Sequence, residues 1–219
     1  MATQKIQVQA PSPISFSDGD VQIPIAGKQC EAIVAELHGK YYTQTYRGNL
    51  FHGSTAAAGV LLPAVTGTAV TFGLWNPIGS GRNAVLVKST IGYISTTGAA
   101  GNIVYSFQSG VGATAATGAP ITAATLGTAQ SGFLGGGTKS AMNFIPATAT
   151  LAAANTLLRP MGISQLVTTA TTTSNIFSQA VDDLDGSIVV PPGTIFSIQG
   201  NIALLSVFNI GLVWYEAPQ

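Results

Sequence analysis

Three carboxylates in four residues, Asp182, Asp183 and Asp185 followed by Gly186, form the densest titratable cluster in this sequence. Such a run can hold calcium when backbone carbonyls complete the oxygen shell, but the twelve-residue spacing with its terminal bidentate glutamate is missing. The pattern reads as a solvated turn leading into a strand at Ser187, with ion binding left open. His38 and His52 are the only histidines. Two imidazoles without nearby cysteine or a second carboxylate cannot complete a tetrahedral site in one chain, although a symmetry axis could assemble one from several subunits. Cys30 is the only cysteine, so an intrachain disulfide and a thiolate cluster are excluded; it reads as a small buried hydrophobe. Gly79-Ser80-Gly81-Arg82 lacks the Lys-Ser or Lys-Thr of a phosphate cradle, and no Gly-x-Ser-x-Gly elbow is present. General acid–base work needs convergent titratable groups, and one acidic turn does not supply them. The sequence therefore predicts no catalytic residue, metal or cofactor, and a chain that is not an enzyme.

The aromatic residues are better guides. Tyr41, Tyr42 and Tyr46 stand beside Lys40 and Arg47, a composition enriched at protein contacts and at carbohydrate-facing surfaces. Tyr41, Tyr42, Tyr46 and Arg47, with Trp75, are the candidate interface residues. Trp75 and Trp214 each end an apolar alternation, where packing in a core or at its rim is the ordinary role.

The elements that must carry these residues read as strands. Val70, Phe72 and Leu74 alternate with Thr71 and Gly73, Ile103, Tyr105 and Phe107 with Ser106 and Gln108, and Ile210, Leu212 and Trp214 with Asn209 and Gly211. A longer β-branched run, Ala84 to Ile94, follows a turn over Asn76 to Asn83. Ser187 to Val190, Pro191-Pro192-Gly193, Thr194 to Gln199 and Ile202 to Phe208 read as a C-terminal meander. Helix signals are weak at Cys30 to His38, and Thr and Gly dilute the Ala-rich Ala123 to Ala129 and Ala147 to Asn155, so one or two short helices are allowed. The Gly110 to Gly137 tract has the composition of long loops ordered by neighbours. Roughly eight to ten strands in one chain predict an all-β fold, an antiparallel β-sandwich, jelly-roll-like, with long Gly/Ala/Thr-rich loops. Residues 1–26, with Ala10-Pro11-Ser12-Pro13, read as an extended N-terminal arm, and residues 27–219 as a single sandwich domain.

Composition then says what surrounds the sandwich. Only 7% of the 219 residues are charged and the formal net charge is zero, against roughly 25% charged in an ordinary domain. Half of those charges lie between Lys5 and Arg47, and Ser89 to Thr138 carries none. A neutral surface with few charges associates, and interface cores are depleted of charge, so the chain is expected to be covered by neighbours. The scattered basic residues would not neutralise a run of phosphates, so nucleic acid is not an expected partner. No stretch of about twenty apolar residues occurs, so no membrane is expected either. The N-terminus lacks an apolar signal segment, and synthesis in the cytosol is expected.

Leu74-Trp75-Asn76-Pro77-Ile78-Gly79-Ser80-Gly81-Arg82-Asn83, Ile91-Gly92-Tyr93, Val190-Pro191-Pro192-Gly193 and Val213-Trp214-Tyr215-Glu216-Ala217-Pro218 resemble segments of structural proteins of tailed bacteriophages. The likeness runs from about Leu37 to the C-terminus; its motifs are turns and strand ends, which carry a fold more securely than a role. The resemblance implies a virion component assembled in the host cytoplasm: a head decoration or cement protein, or a minor capsid protein. Its expected partners are copies of itself, as a homotrimer, and other virion proteins such as the major capsid protein. The alternative is a tail or fibre module that binds a host surface glycan.

Overall fold

The computed structural model describes residues 39–96, 101–112, 119–120, 126–164, 166–168, 173–175 and 179–219. The chain divides into two compact units, Met1–Tyr42 and Thr43–Gln219. The expected arm, the helix allowed at Cys30 to His38, and Cys30 and His38 themselves lie outside the described residues. In the first unit, the Tyr42 N–H donates to Gly39 O at 2.9 Å, and Lys40 Nζ sits 5.3 Å from the Tyr41 ring centroid.

The described elements begin with a five-residue helix, α1 Tyr42–Tyr46, that stops where Gly48 turns to φ +71°. The strands then run β1 Leu50–Ser54, β2 Val60–Leu62, β3 Ala69–Val70, β4 Gly73–Asn76, β5 Arg82–Thr96 and β6 Gly101–Ser109. Short pieces follow: β7 Val111–Gly112, β8 Ala119–Pro120, β9 Gln130–Ser131, β10 Asn143–Ile145 and β11 Ala149–Thr150. The rest are β12 Thr156–Ser164, β13 Leu166–Thr168, β14 Thr173–Asn175, β15 Gln179–Asp183, β16 Val189–Val190, β17 Thr194–Gly200 and β18 Leu204–Pro218.

The second unit is an antiparallel β-sandwich, as the period-two alternation predicts. One sheet has seven strands in the order β15-β5-β18-β1-β9, with β16 also on β5 and β2 on β18; the other has five, β10-β4-β17-β6-β12. Between them lies the main core, with Leu86, Ile91, Phe208, Ile210, Leu212 and Trp214 from the first sheet meeting Leu74, Ile103, Tyr105, Phe144, Phe196 and Ile198 from the second. In β18 every second residue from Leu204 to Glu216 is buried, the signature of a strand with one face inward. Gly53 on β1 is part of this packing, because a Cβ there would come within 2.8 Å of the Phe144 ring.

A second, smaller core covers the other face of the five-stranded sheet. Val70, Trp75, Val111, Ile145, Ala149, Leu151 and Ile195 pack there, under the two-stranded ribbon of β3 and β11. Strand β17 is therefore buried along its whole length. Its polar outer residues are satisfied internally: Ser197 Oγ and Gln199 Oε1 both accept from Asn155 Nδ2, at 2.5 and 3.0 Å, and Gln199 Nε2 donates to Ala69 O at 2.8 Å.

Several expectations need correction. The run from Val70 to Leu74 is two strands, because β3 pairs with the ribbon while β4 enters the five-stranded sheet; Gly73 marks the passage, where a Cβ would meet Phe196 O at 2.9 Å. The C-terminal strands do not form a meander. Strand β16 joins the seven-stranded sheet, β17 the other and β18 the first again. Inward faces of both sheets point to one core, so alternation alone cannot tell which sheet a strand joins. The Ala147 to Asn155 stretch contains β11 and no helix.

Candidate functional site

Pairing with β5 fixes β15 and its acids. Asp182 and Asp183 lie opposite Ser89 and Lys88, inside a strand and not in the solvated turn that the sequence suggests. They point apart. Asp183 takes a salt bridge from Lys88 Nζ at 2.9 Å on the outer face, while Asp185 occupies the turn at φ +47°. Among the described residues, no group of three or more His, Cys, Asp or Glu could hold a metal ion.

Asp182 instead joins a polar cluster at the open edge of the sandwich. Its Oδ2 accepts from Tyr105 Oη at 2.9 Å and from Arg159 Nη2 at 2.8 Å. Ser89 Oγ hydrogen-bonds the same tyrosine hydroxyl, and the Arg159 guanidinium lies 4.9 Å from the Tyr105 ring centroid. Ser89 and Asp182 belong to the seven-stranded sheet, Tyr105 and Arg159 to the other, so the cluster ties the two sheets together. Burial holds the Tyr105 phenol well above its ordinary pKa; the Asp182 carboxylate adds to this, against the Ser89 hydrogen bond and the Arg159 charge. A phenol so held remains a hydrogen-bond donor at any ordinary pH, which suits a fastening role. Sequence reasoning placed Tyr105 only as an alternating apolar residue and missed the cluster.

A buried carboxylate closes another margin. Glu216, 2% exposed, accepts from Ser140 Oγ at 2.5 Å and from the Ala141 N–H at 3.0 and 3.1 Å, holding the loop that inserts Met142 into the main core. The signal was present in the sequence: Glu216 continues the inward phase of Leu212 and Trp214.

The two turns singled out by their motifs meet in space. Asn76, fully buried, donates from Nδ2 to Arg82 O and Val190 O, each at 2.8 Å, while its Oδ1 accepts from Ser80 Oγ at 2.6 Å. The Gly193 N–H donates back to Asn76 O at 2.8 Å. Gly79, Gly81 and Gly193 all take positive φ, so glycine serves turn geometry here and not phosphate binding.

The candidate interface residues separate. Tyr42 and Tyr46 are exposed on α1, Arg47 is exposed just after it, and Tyr41 is half-buried. Trp75 does not join them: it is 5% exposed in the second core, with its Nε1–H donating to Val111 O at 3.3 Å. Its ring packs the core and offers no outward contact. Tyr46 does have an aromatic neighbour, Phe133, in an edge-to-face contact with centroids 6.1 Å apart. Phe133 and Leu134 form the tip of the loop after β9, and Leu134 is 87% exposed. That loop is built, not slack: the Gly132 N–H donates to Leu50 O, the Gly136 N–H to Phe133 O and the Phe133 N–H to Ser131 Oγ.

The described residues also form concave regions. An apolar cleft of about 390 Å³ is lined by Phe107, Leu158, Ile188, Val189, Pro191 and the core residue Phe196, among others. A polar trough of about 450 Å³ lies on the outer face of the seven-stranded sheet, with His52, Ser54, Thr90, Thr128 and Gln130 around Gly211. Burial lowers the His52 pKa below its ordinary value; the Gly132 backbone lies so close that a Cβ there would stand 3.2 Å from Nε2. The chain matches no protein-family model, no curated protein and no solved structure.

Proposed function

We propose that this chain is a structural subunit that works by assembling with copies of itself, and that the assembly is part of a bacteriophage particle, as a head decoration, cement or minor capsid protein. One observation carries the assembly reading. Among the described residues, fourteen large hydrophobic side chains stand exposed, while the whole chain has only eight basic and eight acidic residues to keep its surface wetted. Single exposed apolar residues are ordinary, but apolar tips and clefts on a surface this poor in charge are the pattern of faces that neighbours cover. The polar clusters around Asp182 and Glu216 support the same reading, because each fastens one part of the sandwich to another. The phage assignment rests on the turn motifs alone, and a homotrimer made in the host cytoplasm is the form proposed.

Sedimentation velocity on the purified full chain tests the assembly reading. At micromolar concentration the expected mass is a small multiple, three for the trimer, of 22.2 kDa. A single species at the monomer mass, persisting as concentration rises, overturns it.

The polar trough favours a second reading, a module that binds a host surface glycan. Its hydroxyls, imidazole and amide suit a hydroxyl-rich ligand, although among the described residues no aromatic face lines it for a sugar to stack on. Binding of the free protein to a glycan array, lost in Gln130→Ala, would favour this reading over the first.

A further inference from the structure

Resting on the assembly reading, we infer that copies associate head to tail, the Phe133–Leu134 tip of one inserting into the apolar cleft of the next. The tip follows β9, at one end of the seven-stranded sheet. The cleft takes Ser187 to Val190 as one wall, and there β16 lies on β5 at the opposite end of that sheet. A projecting group and its receptacle thus stand on opposite edges of one rigid element. A contact between two different patches of identical chains is heterologous, and it is satisfied everywhere only when the copies close into a ring. Three copies closing in this way would leave no tip and no cleft open.

The chemistry of the two patches matches. Leu134 is almost wholly exposed and Phe133 is 46% exposed, yet hydrogen bonds within the loop hold both outward. An apolar tip that is already ordered loses little conformational entropy on insertion, which favours its use as an anchor. The cleft has Leu158 and Val189 at its rim, 42% and 49% exposed, and reaches down to Phe196 of the main core. Among the described residues no charged one lines it, and none lies between Gln130 and Thr138 at the tip, so neither patch carries an ion to be stripped of water on docking. A buried leucine and phenylalanine in a preformed apolar pocket form the kind of centre that dominates subunit contacts.

Two variants and their mixture test this. Leu134→Asp spoils the tip and leaves the cleft; Val189→Arg spoils the cleft and leaves the tip. Both positions are exposed in the isolated chain, and far-UV circular dichroism checks that each variant keeps the wild-type fold, with Leu158→Arg as a second cleft variant. Native mass spectrometry is expected to show the wild type as a closed oligomer, each variant alone as a monomer with association weakened about 100-fold or more, and an equal mixture as a species of two chains, one of each, joined by the single contact that remains. Wild-type-like association of either variant, or a mixture that fails to pair, would overturn the head-to-tail contact while the assembly reading stands. A monomeric wild type would overturn both.

Discussion

Tyr105→Phe removes one oxygen and leaves the ring in the core, so it isolates the fastening between the sheets. Two hydrogen bonds are lost, one with Ser89, which is fully buried, and one to the Asp182 carboxylate. A neutral bond contributes about 1 kcal/mol net and a bond to a charged acceptor about 1.5–3 kcal/mol; because Asp182 keeps its contact with Arg159, the combined loss is about 2–3 kcal/mol. For a chain of this length that corresponds to a fall in melting temperature of about 5–10 °C. Arg159→Gln is the control. The Arg159 and Asp182 side chains are 43% and 26% exposed, so solvent screens the pair and its loss, with that of the guanidinium over the ring, costs only about 1 kcal/mol. Thermal and urea unfolding of both variants, at one protein concentration so that association does not confound them, should rank Tyr105→Phe as the more damaging. A Tyr105→Phe protein that melts with the wild type, or an Arg159→Gln protein that melts lower still, would refute the claim that the tyrosine hydroxyl ties the sheets.

The same geometry sets further expectations. The raised Tyr105 pKa means that the folded state retains the phenolic proton which the unfolded chain releases first, so its contribution is whole below about pH 10 and is lost as pH rises toward the folded value; an alkaline unfolding series should show that limb flattened in Tyr105→Phe. Glu216→Ala strands the Ser140 hydroxyl and the Ala141 N–H and should cost about 3 kcal/mol in urea unfolding, with Glu216→Gln, which keeps an acceptor, costing clearly less. Asn76→Asp turns two donated bonds into an oxygen facing the carbonyls of Arg82 and Val190, and should destabilise by about 3 kcal/mol or more, beyond Asn76→Ala. In an NMR titration the His52 ring should protonate below its ordinary midpoint, and substituting Gly132 by alanine, which crowds Nε2, should move that midpoint.

How far the sequence revealed this molecule depended on the range of the interaction involved. The alternation of Ile210, Leu212 and Trp214 is local, and it gave the long strand β18 and its buried face directly. The longer β-branched run likewise became β5, and the Asn76 to Asn83 turn became the loop before it. Strand β15 was missed because its pattern runs against hydrophobicity: Val181 faces solvent while Asp182 faces inward, a placement that only Tyr105 and Arg159 from the other sheet make sense of. Trp75 was read both as a candidate interface residue and, in its ordinary role, as core or rim packing; nothing local chose between the two, because the other members of the second core come from five strands and a loop. The Phe133–Leu134 tip did carry a local sign, two adjacent large apolar residues set among glycines, but a pair like that reads equally as a buried turn until its surroundings are known.

Hydroxyl-radical footprinting of the full chain at working concentration tests the central claim most directly, because it reports side-chain accessibility in solution. If copies cover the apolar surface, Leu134 and Leu158 are protected in the concentrated protein, and dilution or Val189→Arg restores their reactivity. Oxidation of both residues at the rate that 87% and 42% exposure imply, unchanged by dilution, would contradict the account.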